Sequence, residues 1–328
     1  MNILIVSGFL GAGKTTFIKE LIRRTKVSPV ILENEYGDNS IDAAELRSST
    51  LADAPDGGFG EKKLEILEFM EGCVCCTMKD SFVNSVLTVF SSLSPEYLII
   101  EPTGVGKLSN IVGNLQPLLV GNISLLKPIV VVAPRSYHQN LQEWGDLYRD
   151  QVANAGIVVF SKCENESPEI LAETEAAIKK INPNAEIISS HYTTQSDNWW
   201  RSCFSLTAEN KGIEGAESQA DSSADDFTQL TLNNVTLSNP SQLIVLLEDC
   251  LRGEMGLVAR AKGTMTAGGE NLRFDLADGL YCVTDSDQTE NQCVFIGKYL
   301  DKEKLRKRLG CLLAERKVSL GREYVKRN

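Results

Sequence analysis

One eight-residue segment constrains the fold of this chain more than any other. Residues 8–15 read GFLGAGKT and match the pattern G-x-x-x-x-G-K-[ST]. An apolar run at residues 2–7 precedes the segment, and a stretch with helical character at residues 15–25 follows it. In such a strand-loop-helix unit the glycines let the backbone curl, so that several N–H groups converge on an anion beside the helix N-terminus. The segment therefore predicts a phosphate-binding loop within an α/β fold.

The motif also predicts a role for each of its polar positions. Backbone N–H groups of Gly8, Gly11, Ala12 and Gly13 are expected to surround the phosphates of a nucleotide. Lys14 is expected to neutralise the β- and γ-phosphates, and the hydroxyl of Thr15 to coordinate Mg²⁺. Agreement of eight positions and both flanking elements makes a chance glycine-rich turn a poor alternative.

The rest of the first two hundred residues alternates short apolar runs with longer helical stretches. Mostly continuous apolar runs of this kind are typical of strands that are buried on both faces by helices. We predict strands at residues 2–7, 30–33, 64–69, 97–101, 128–133, 157–160 and 186–189, and helices at 15–25, 80–92, 143–154 and 168–181. This order predicts an α/β fold with a doubly wound, mostly parallel sheet.

A composition change divides the chain of 328 residues into two domains. Residues 207–226 are rich in Ser, Ala, Gly, Glu and Asp and lack apolar periodicity, so we interpret them as an acidic flexible linker. The first domain is then expected at residues 1–206. Residues 227–328 are expected to form a smaller α+β domain, with two helices and at least four strands.

A carboxylate follows another apolar strand. Residues 97–101 read YLIIE, so Glu101 stands at the carboxyl end of a buried strand and is followed by Pro102, Thr103 and Gly104. In open α/β sheets that end faces the ligand crevice, so Glu101 is predicted to hold Mg²⁺ or to orient an attacking water. A strand-terminal surface glutamate is the alternative.

A later strand-to-loop junction is a candidate for recognition of the nucleotide base. Ser161, Lys162, Cys163 and Glu164 follow the strand at 157–160 and are similar to the [NST]KxD element of P-loop GTPases. In that element the lysine stem packs on guanine, and the carboxylate accepts from N–H groups of the base. Here Glu164 stands in the aspartate position, and its extra methylene leaves the strictness of selection for GTP over ATP open.

The chain has nine cysteines and only two histidines. Three of the cysteines, Cys73, Cys75 and Cys76, lie within four residues, and three thiolates favour a soft ion such as Zn²⁺, with Co²⁺ as the second choice. The fourth ligand would be water, Glu35 or a group from a partner. A redox dithiol and a set of buried structural cysteines are the alternatives. Packing roles are predicted for the remaining six: Cys163, Cys203, Cys250, Cys282, Cys293 and Cys311.

Together these motifs resemble the CobW-type family of P-loop GTPases, which includes metallochaperones and metal-insertion GTPases. The resemblance covers nearly the whole chain. The matching segments are GFLGAGKTT (8–16), NEYG (34–37) with Ile41 and Asp42 after it, GCVCCT (72–77), EPTG (101–104), NPNA (182–185), RAKG (260–263) and VFIG (294–297). Gln151 and Ala155 also match, in the helix before the base-recognition strand.

The resemblance implies cofactors, partners and further binding residues. It implies GTP or GDP with Mg²⁺, slow intrinsic hydrolysis, nucleotide contacts by Thr16 and Gly104, and delivery of a metal to a client metalloprotein or cofactor-assembly enzyme, as in cobalamin biosynthesis. The chain departs from the family at Ala133, Gly156 and Glu164, where aspartate is usual. It also lacks a His-rich stretch, so the cysteines would carry most of the metal affinity.

The resulting hypothesis is a GTP-hydrolysing metallochaperone with a metal at the CxCC segment. One alternative is a nucleotide-gated interaction module with redox-sensing cysteines. Another is an ATP-dependent P-loop kinase.

Composition argues against several kinds of partner. The net charge of -11 and a pI near 4.9 argue against nucleic acid as a ligand. No apolar run approaches the ~20 residues that a membrane-spanning helix needs, and no signal-peptide core is recognisable. We therefore expect a cytoplasmic protein without a membrane partner, and a homodimer is compatible with the sequence.

Overall fold

A computed structural model describes residues 1–36, 65–71, 78–208, 227–287 and 291–310. The chain divides into two compact units, Met1–Ala224 and Asp225–Asn328. Residues 72–77, which hold the predicted cysteine site, lie outside the described residues, as does nearly all of the predicted linker. The predicted boundaries at 206 and 226 stay predictions.

An eight-stranded parallel sheet forms the centre of the first unit. Its strands are β1 (Asn2–Gly8), β2 (Val30–Tyr36), β3 (Glu65–Glu71), β4 (Tyr97–Glu101), β5 (Ser124–Leu125), β6 (Ile129–Val132), β7 (Ile157–Phe160) and β8 (Glu186–His191). Seven of them run in the order β3-β2-β4-β1-β6-β7-β8, and the short β5 pairs with β1. The predicted doubly wound α/β fold is confirmed, and β5 is the one strand among the described residues of this unit that was not predicted.

In the part of the first unit that the structure describes, seven helices accompany this sheet. They are α1 (Lys14–Thr25), α2 (Met78–Leu93), α3 (Leu108–Leu115), α4 (Tyr137–Glu143), α5 (Gly145–Ala153), α6 (Pro168–Ile181) and α7 (Asp197–Ser202). The single helix predicted over residues 143–154 was wrong at its start, because Gly145 has a φ of 37° and separates α4 from α5. A left-handed residue of this kind interrupts the helical backbone, and glycine adopts that conformation at low cost.

The central strands are apolar throughout because helices cover both faces of the sheet. Leu4 and Val6 of β1 are fully buried, and they share one core with Phe17 and Leu21 of α1. Each such side chain contributes about 1.5–3 kcal/mol by leaving water. The core therefore fixes β1 and α1, and with them the loop that connects the two.

The NPNA segment has a structural role. Nδ2 of Asn182 donates to the carbonyl oxygens of Val152 and Ala155 at 3.0 and 2.9 Å, and its Oδ1 accepts from the backbone N–H of Ala185 at 3.1 Å. These bonds tie the end of α6 to the turn between α5 and β7. Within that turn, a Cβ on Gly156 would lie 2.8 Å from Cβ of Lys127, which explains glycine at this position.

The second unit contains a largely antiparallel six-stranded sheet. Its elements are β9 (Phe227–Asn233), β10 (Thr236–Leu237), α8 (Pro240–Leu251), β11 (Leu257–Ala267), β12 (Glu270–Ala277), β13 (Leu280–Asp285), β14 (Gln292–Lys298) and α9 (Lys302–Arg308). Leu243 and Leu247 of α8 and Leu305 of α9 pack with Phe274 and Phe295 in one core. The predicted α+β architecture is confirmed. None of the helices in the described parts of the chain has the length and apolarity needed to cross a bilayer.

Candidate nucleotide-binding site

The loop between β1 and α1 has the backbone shape that an anion site requires. Gly11 and Gly13 have φ values of 77° and 92°, in the left-handed region that favours glycine. Gly13 is the N-cap of α1, and as a glycine it offers no side chain to the amides of the first helical turn. Those amides, with the positive end of the helix dipole, form an electropositive concavity.

Lys14 is held close to the same loop. Only 7% of this residue is exposed, and its Nζ donates to the carbonyl oxygens of Gly8 at 3.1 Å and Phe9 at 3.3 Å. The ammonium group is therefore kept against the loop and contributes a positive charge where the phosphates are expected.

Aromatic side chains pack against Phe9 of the phosphate loop. The ring of Phe9 lies 5.4 Å from Trp144 and 5.8 Å from Tyr148, measured between centroids, and Tyr148 contacts Tyr137. Burial raises the pKa of Tyr137 to about 12, so its hydroxyl stays protonated at neutral pH. Aromatic side chains of the α4–α5 region thus pack against the phosphate loop.

The two residues predicted to hold Mg²⁺ meet directly. Thr15 Oγ1 donates to Oε1 of Glu101 at 2.8 Å, and Glu101 is only 7% exposed at the end of β4. Hydroxyl and carboxylate oxygens are the hard ligands that Mg²⁺ prefers. The geometry therefore fits a divalent cation at this point of the sheet edge.

A second buried carboxylate, which the sequence reasoning missed, lies beside this pair. Glu33 of β2 is the register partner of Glu101 on the parallel neighbour β4, and it is 4% exposed. Register partners place their side chains on the same face of the sheet. The available signal was a carboxylate near the end of an apolar strand, the same signal that identified Glu101.

The segment after Glu101 is clamped between the phosphate loop and α5. A Cβ on Gly104 would lie 2.5 Å from the backbone nitrogen of Leu10, so only glycine allows this approach. Nε2 of the buried Gln151 donates to the carbonyl oxygens of Gly104 at 3.1 Å and Gly106 at 3.0 Å. Sequence reasoning gave Gln151 no such role, because its two partners lie more than 40 positions away.

The predicted base-recognition element also contacts the phosphate loop. The hydroxyl of Ser161 donates to the carbonyl oxygen of Ala12 at 2.6 Å. Lys162 has a φ of 52°, a conformation that is uncommon outside glycine. Oε1 of Glu164 lies 3.1 Å from Nε2 of His191, at the end of β8.

The predicted metal ligands can be located only in part. Cys73, Cys75 and Cys76 lie outside the described residues, and so does the side chain of Glu35, although its backbone belongs to β2. That backbone pairs with Met70 on β3, three positions before Cys73. Within residues 1–36, 65–71, 78–208, 227–287 and 291–310, no group of three or more His, Cys, Asp or Glu side chains is arranged to hold a metal.

Comparison with known proteins gives matches to two family models. Residues 2–189 match the CobW/HypB/UreG nucleotide-binding domain, and residues 227–313 match the cobalamin synthesis protein cobW C-terminal domain. The first match alone spans more than half of the chain.

Several curated proteins are similar to this chain. The Zinc-regulated GTPase metalloprotein activator 1 of Schizosaccharomyces pombe is 27% identical over 199 residues, which cover 60% of this chain and 47% of that protein. The zinc chaperone YeiR of Escherichia coli is 30% identical over 168 residues, covering 50% and 47% of the two chains. The chain thus spans about half the length of the curated relatives that it matches.

Among solved structures, the Zn(II)-bound YjiA GTPase from E. coli matches with a TM-score of 0.43 and 16% identity, over 94% of this chain and 98% of that one. Because the two family models follow one another along the sequence and the first covers the phosphate loop and Glu101, the chain belongs to the CobW/HypB/UreG family, with a CobW C-terminal domain.

Proposed function

We propose that this protein is a GTP-hydrolysing metallochaperone that carries a transition metal at its CxCC segment and delivers it to a client metalloprotein or cofactor-assembly enzyme. The observation that carries the nucleotide part is the bond between Thr15 and Glu101, which joins the phosphate-binding motif to the strand-terminal carboxylate. The names of the relatives, zinc chaperone and zinc-regulated GTPase, support the metal part.

In this proposal the phosphate loop binds and orients GTP. Lys14 neutralises the β- and γ-phosphates, while backbone N–H groups of residues 8–16 hold the remaining oxygens. A Mg²⁺ ion at this point would offset the negative charge that develops on the phosphate oxygens during hydrolysis. Thr15 and Glu101 would hold the ion, and Glu101 would also orient the attacking water.

The carried metal would bind Cys73, Cys75 and Cys76, with Glu35 as the fourth ligand. Thiolates favour Zn²⁺, and Co²⁺ is the second choice. The backbone register supports Glu35, since its pairing with Met70 puts it beside the strand that leads into the cysteines. We place this activity in the cytoplasm, where reducing conditions keep thiols available.

The sheet order supports coupling between the two sites. Strand β3 leads into the cysteines, β2 carries Glu35, and β4 carries Glu101, and these three strands are consecutive neighbours next to β1. Parallel strands end at one sheet edge, so the metal segment and the nucleotide would meet there. A change at the γ-phosphate would then alter the metal coordination.

Thermodynamic linkage gives the decisive test. If nucleotide changes metal affinity by some factor, metal must change nucleotide affinity by the same factor. Zn²⁺ affinity should be measured with a competing chelator on reduced protein without nucleotide, with GDP and with a non-hydrolysable GTP analogue. We expect different affinities in the two nucleotide states, and equal affinities would refute the coupling.

A variant pair separates metal binding from nucleotide binding. Cys75→Ser/Cys76→Ser should abolish stoichiometric metal retention in anaerobically purified protein while GDP still binds. Lys14→Ala should retain the metal and lose binding of GDP. Metal retention by the double serine variant would place the metal elsewhere.

A further inference from the structure

We propose that His191 sets base specificity by positioning the carboxylate of Glu164 for guanine. This inference rests on the proposed function of the same site, since it assumes that the element at residues 161–164 reads the base. It explains how a glutamate can work where an aspartate is expected.

An irregularity in β8 places His191 beside this element. In the pairing of β7 with β8, Val159 is opposite Ile188, but the next residue, Phe160, is opposite His191. Strand β8 thus contains two extra residues at this point. Bulges of this kind re-aim a side chain and are frequent next to functional sites. His191 therefore lies beside the residue that precedes Ser161.

The ring of His191 is fixed by its own neighbours. It stacks on Tyr192 with 4.4 Å between centroids and an interplanar angle of 29°. Its Nδ1 lies 2.7 Å from the hydroxyl of Thr193 and accepts the backbone N–H of that residue at 3.4 Å. With Nδ1 as an acceptor, the neutral ring carries its proton on Nε2.

The Nε2 atom of His191 lies next to the carboxylate of Glu164. The separation between Nε2 and Oε1 is 3.1 Å, within hydrogen-bond distance. The side chain of His191 is 15% exposed and that of Glu164 is 59% exposed. A ring nitrogen in a fixed position therefore lies beside a carboxylate that is otherwise solvated. A carboxylate has about four acceptor positions, so the contact leaves positions for N–H donors of a base.

Restricting the side chain before the base binds has a larger effect on affinity for a glutamate than for an aspartate. The extra methylene adds a rotatable bond, and an unrestrained carboxylate would lose more conformational freedom on binding. A contact that restricts the side chain before the base arrives reduces that cost, which is the general effect of preorganisation. Since Ser161 is bonded to Ala12 of the phosphate loop, the carboxylate is also tied to the site where the phosphates are expected.

The test compares diphosphates that differ only in the base. Binding of GDP, IDP and ADP with Mg²⁺ should be measured for the full-length wild type, His191→Phe and His191→Gln. IDP lacks the 2-amino group of guanine, so the ratio of IDP to GDP dissociation constants reports one hydrogen bond to the carboxylate. We expect His191→Phe to reduce this ratio by about tenfold, as for loss of one well-placed hydrogen bond, with little change in ADP affinity, because adenine lacks the ring N–H that guanine and hypoxanthine offer to the carboxylate. Glutamine keeps an N–H donor and should restore part of the ratio.

Two further variants test the reason for the effect. Glu164→Asp removes the methylene, so adding His191→Phe to it should reduce the ratio much less than in the wild-type background. Glu164→Gln replaces an acceptor by a donor, so it should favour XDP, whose base has a carbonyl in place of the 2-amino group, over GDP.

The outcomes distinguish this inference from the proposed function. A wild type that prefers guanine, together with an unchanged ratio in His191→Phe, would overturn the role of His191 and leave the GTPase proposal intact. A wild type that binds GDP, IDP and ADP equally would refute guanine recognition and this inference with it. Unchanged ADP affinity in the variants shows that the nucleotide site still folds.

Discussion

The hydroxyl of Thr15 donates a 2.8 Å hydrogen bond to Oε1 of Glu101, although the two residues are 86 positions apart in the chain. The contact exists because β1, which leads into the phosphate loop, and β4, which ends at Glu101, are parallel neighbours with Ile5 opposite Ile100. Two motifs that are distant in sequence thus become one potential cation site.

Glu101→Gln should separate binding from hydrolysis. The amide keeps the size of the side chain and removes its charge, so we expect GDP to bind within a few-fold of wild type and hydrolysis of GTP to fall by about 10²–10⁴-fold. Single-turnover hydrolysis and GDP titration measure the two effects. Glu96→Gln is a matched control, because Glu96 is exposed and directly precedes the other end of β4. Equal losses in both variants would contradict a catalytic role.

Lys14→Ala should weaken nucleotide binding by about 100-fold, the cost of losing charge-assisted hydrogen bonds to phosphate. Lys19→Ala, in the middle of the same helix, should bind GDP like wild type. Isothermal titration with Mg·GDP provides the comparison. If Lys14→Ala bound GDP with wild-type affinity, the loop would not be part of the nucleotide site.

Gly104→Ala should destabilise the first unit by about 1–3 kcal/mol and slow hydrolysis, because its Cβ would lie 2.5 Å from the backbone of Leu10. Gly113→Ala is the control, since a Cβ there meets no atom within 4 Å and alanine favours the helix by about 1 kcal/mol. Thermal unfolding should therefore shift in opposite directions in the two variants. A tolerated Gly104→Ala would show that the loop adjusts without cost.

Thiol labelling should discriminate among the cysteines. Burial raises the pKa of Cys203 and of Cys250 to about 12. Cys282 is exposed on β13, so the packing role predicted for it was wrong. Because the thiolate is the reactive form, a raised pKa lowers reactivity at neutral pH. At pH 8 iodoacetamide should modify Cys282 and spare Cys203 and Cys250.

The same two thiols predict a pH effect on stability. Their folded pKa lies above the ordinary value of 9.0, so their contribution is complete below pH 9 and is lost as the pH rises toward 12.

In the labelling experiment, peptide mass spectrometry identifies the modified thiols, and Cys282→Ser removes the expected signal. Rapid labelling of Cys203 at pH 8 would contradict its burial.

The sequence predicts the frame of the site because that frame depends on local patterns. Apolar runs identify β1, β4 and β7, and the polar residues that follow them identify the phosphate loop, Glu101 and Ser161. Each of these signals lies within ten residues of the element that it describes.

Other residues of the candidate site depend on contacts between segments that are distant in the sequence. Gln151 acts on Gly104 through a bond that spans 47 positions, and His191 reaches Glu164 only because β8 is irregular. Neither contact is signalled by a local pattern in the sequence. The cysteine site and the side chain of Glu35 stay predictions, although the pairing of β2 with β3 agrees with them.

Gly8, the first glycine of the phosphate loop, has a φ of 145°, and a Cβ on it would lie 2.4 Å from the carbonyl oxygen of Val131 on β6. This glycine is therefore required by the packing of the sheet, whether or not a nucleotide binds. A descendant of this protein that had lost nucleotide binding would still need Gly8, but nothing in the sheet would preserve Lys14. In genome sequences, the lysine is thus the better indicator of retained chemistry, and the first glycine indicates only an inherited fold.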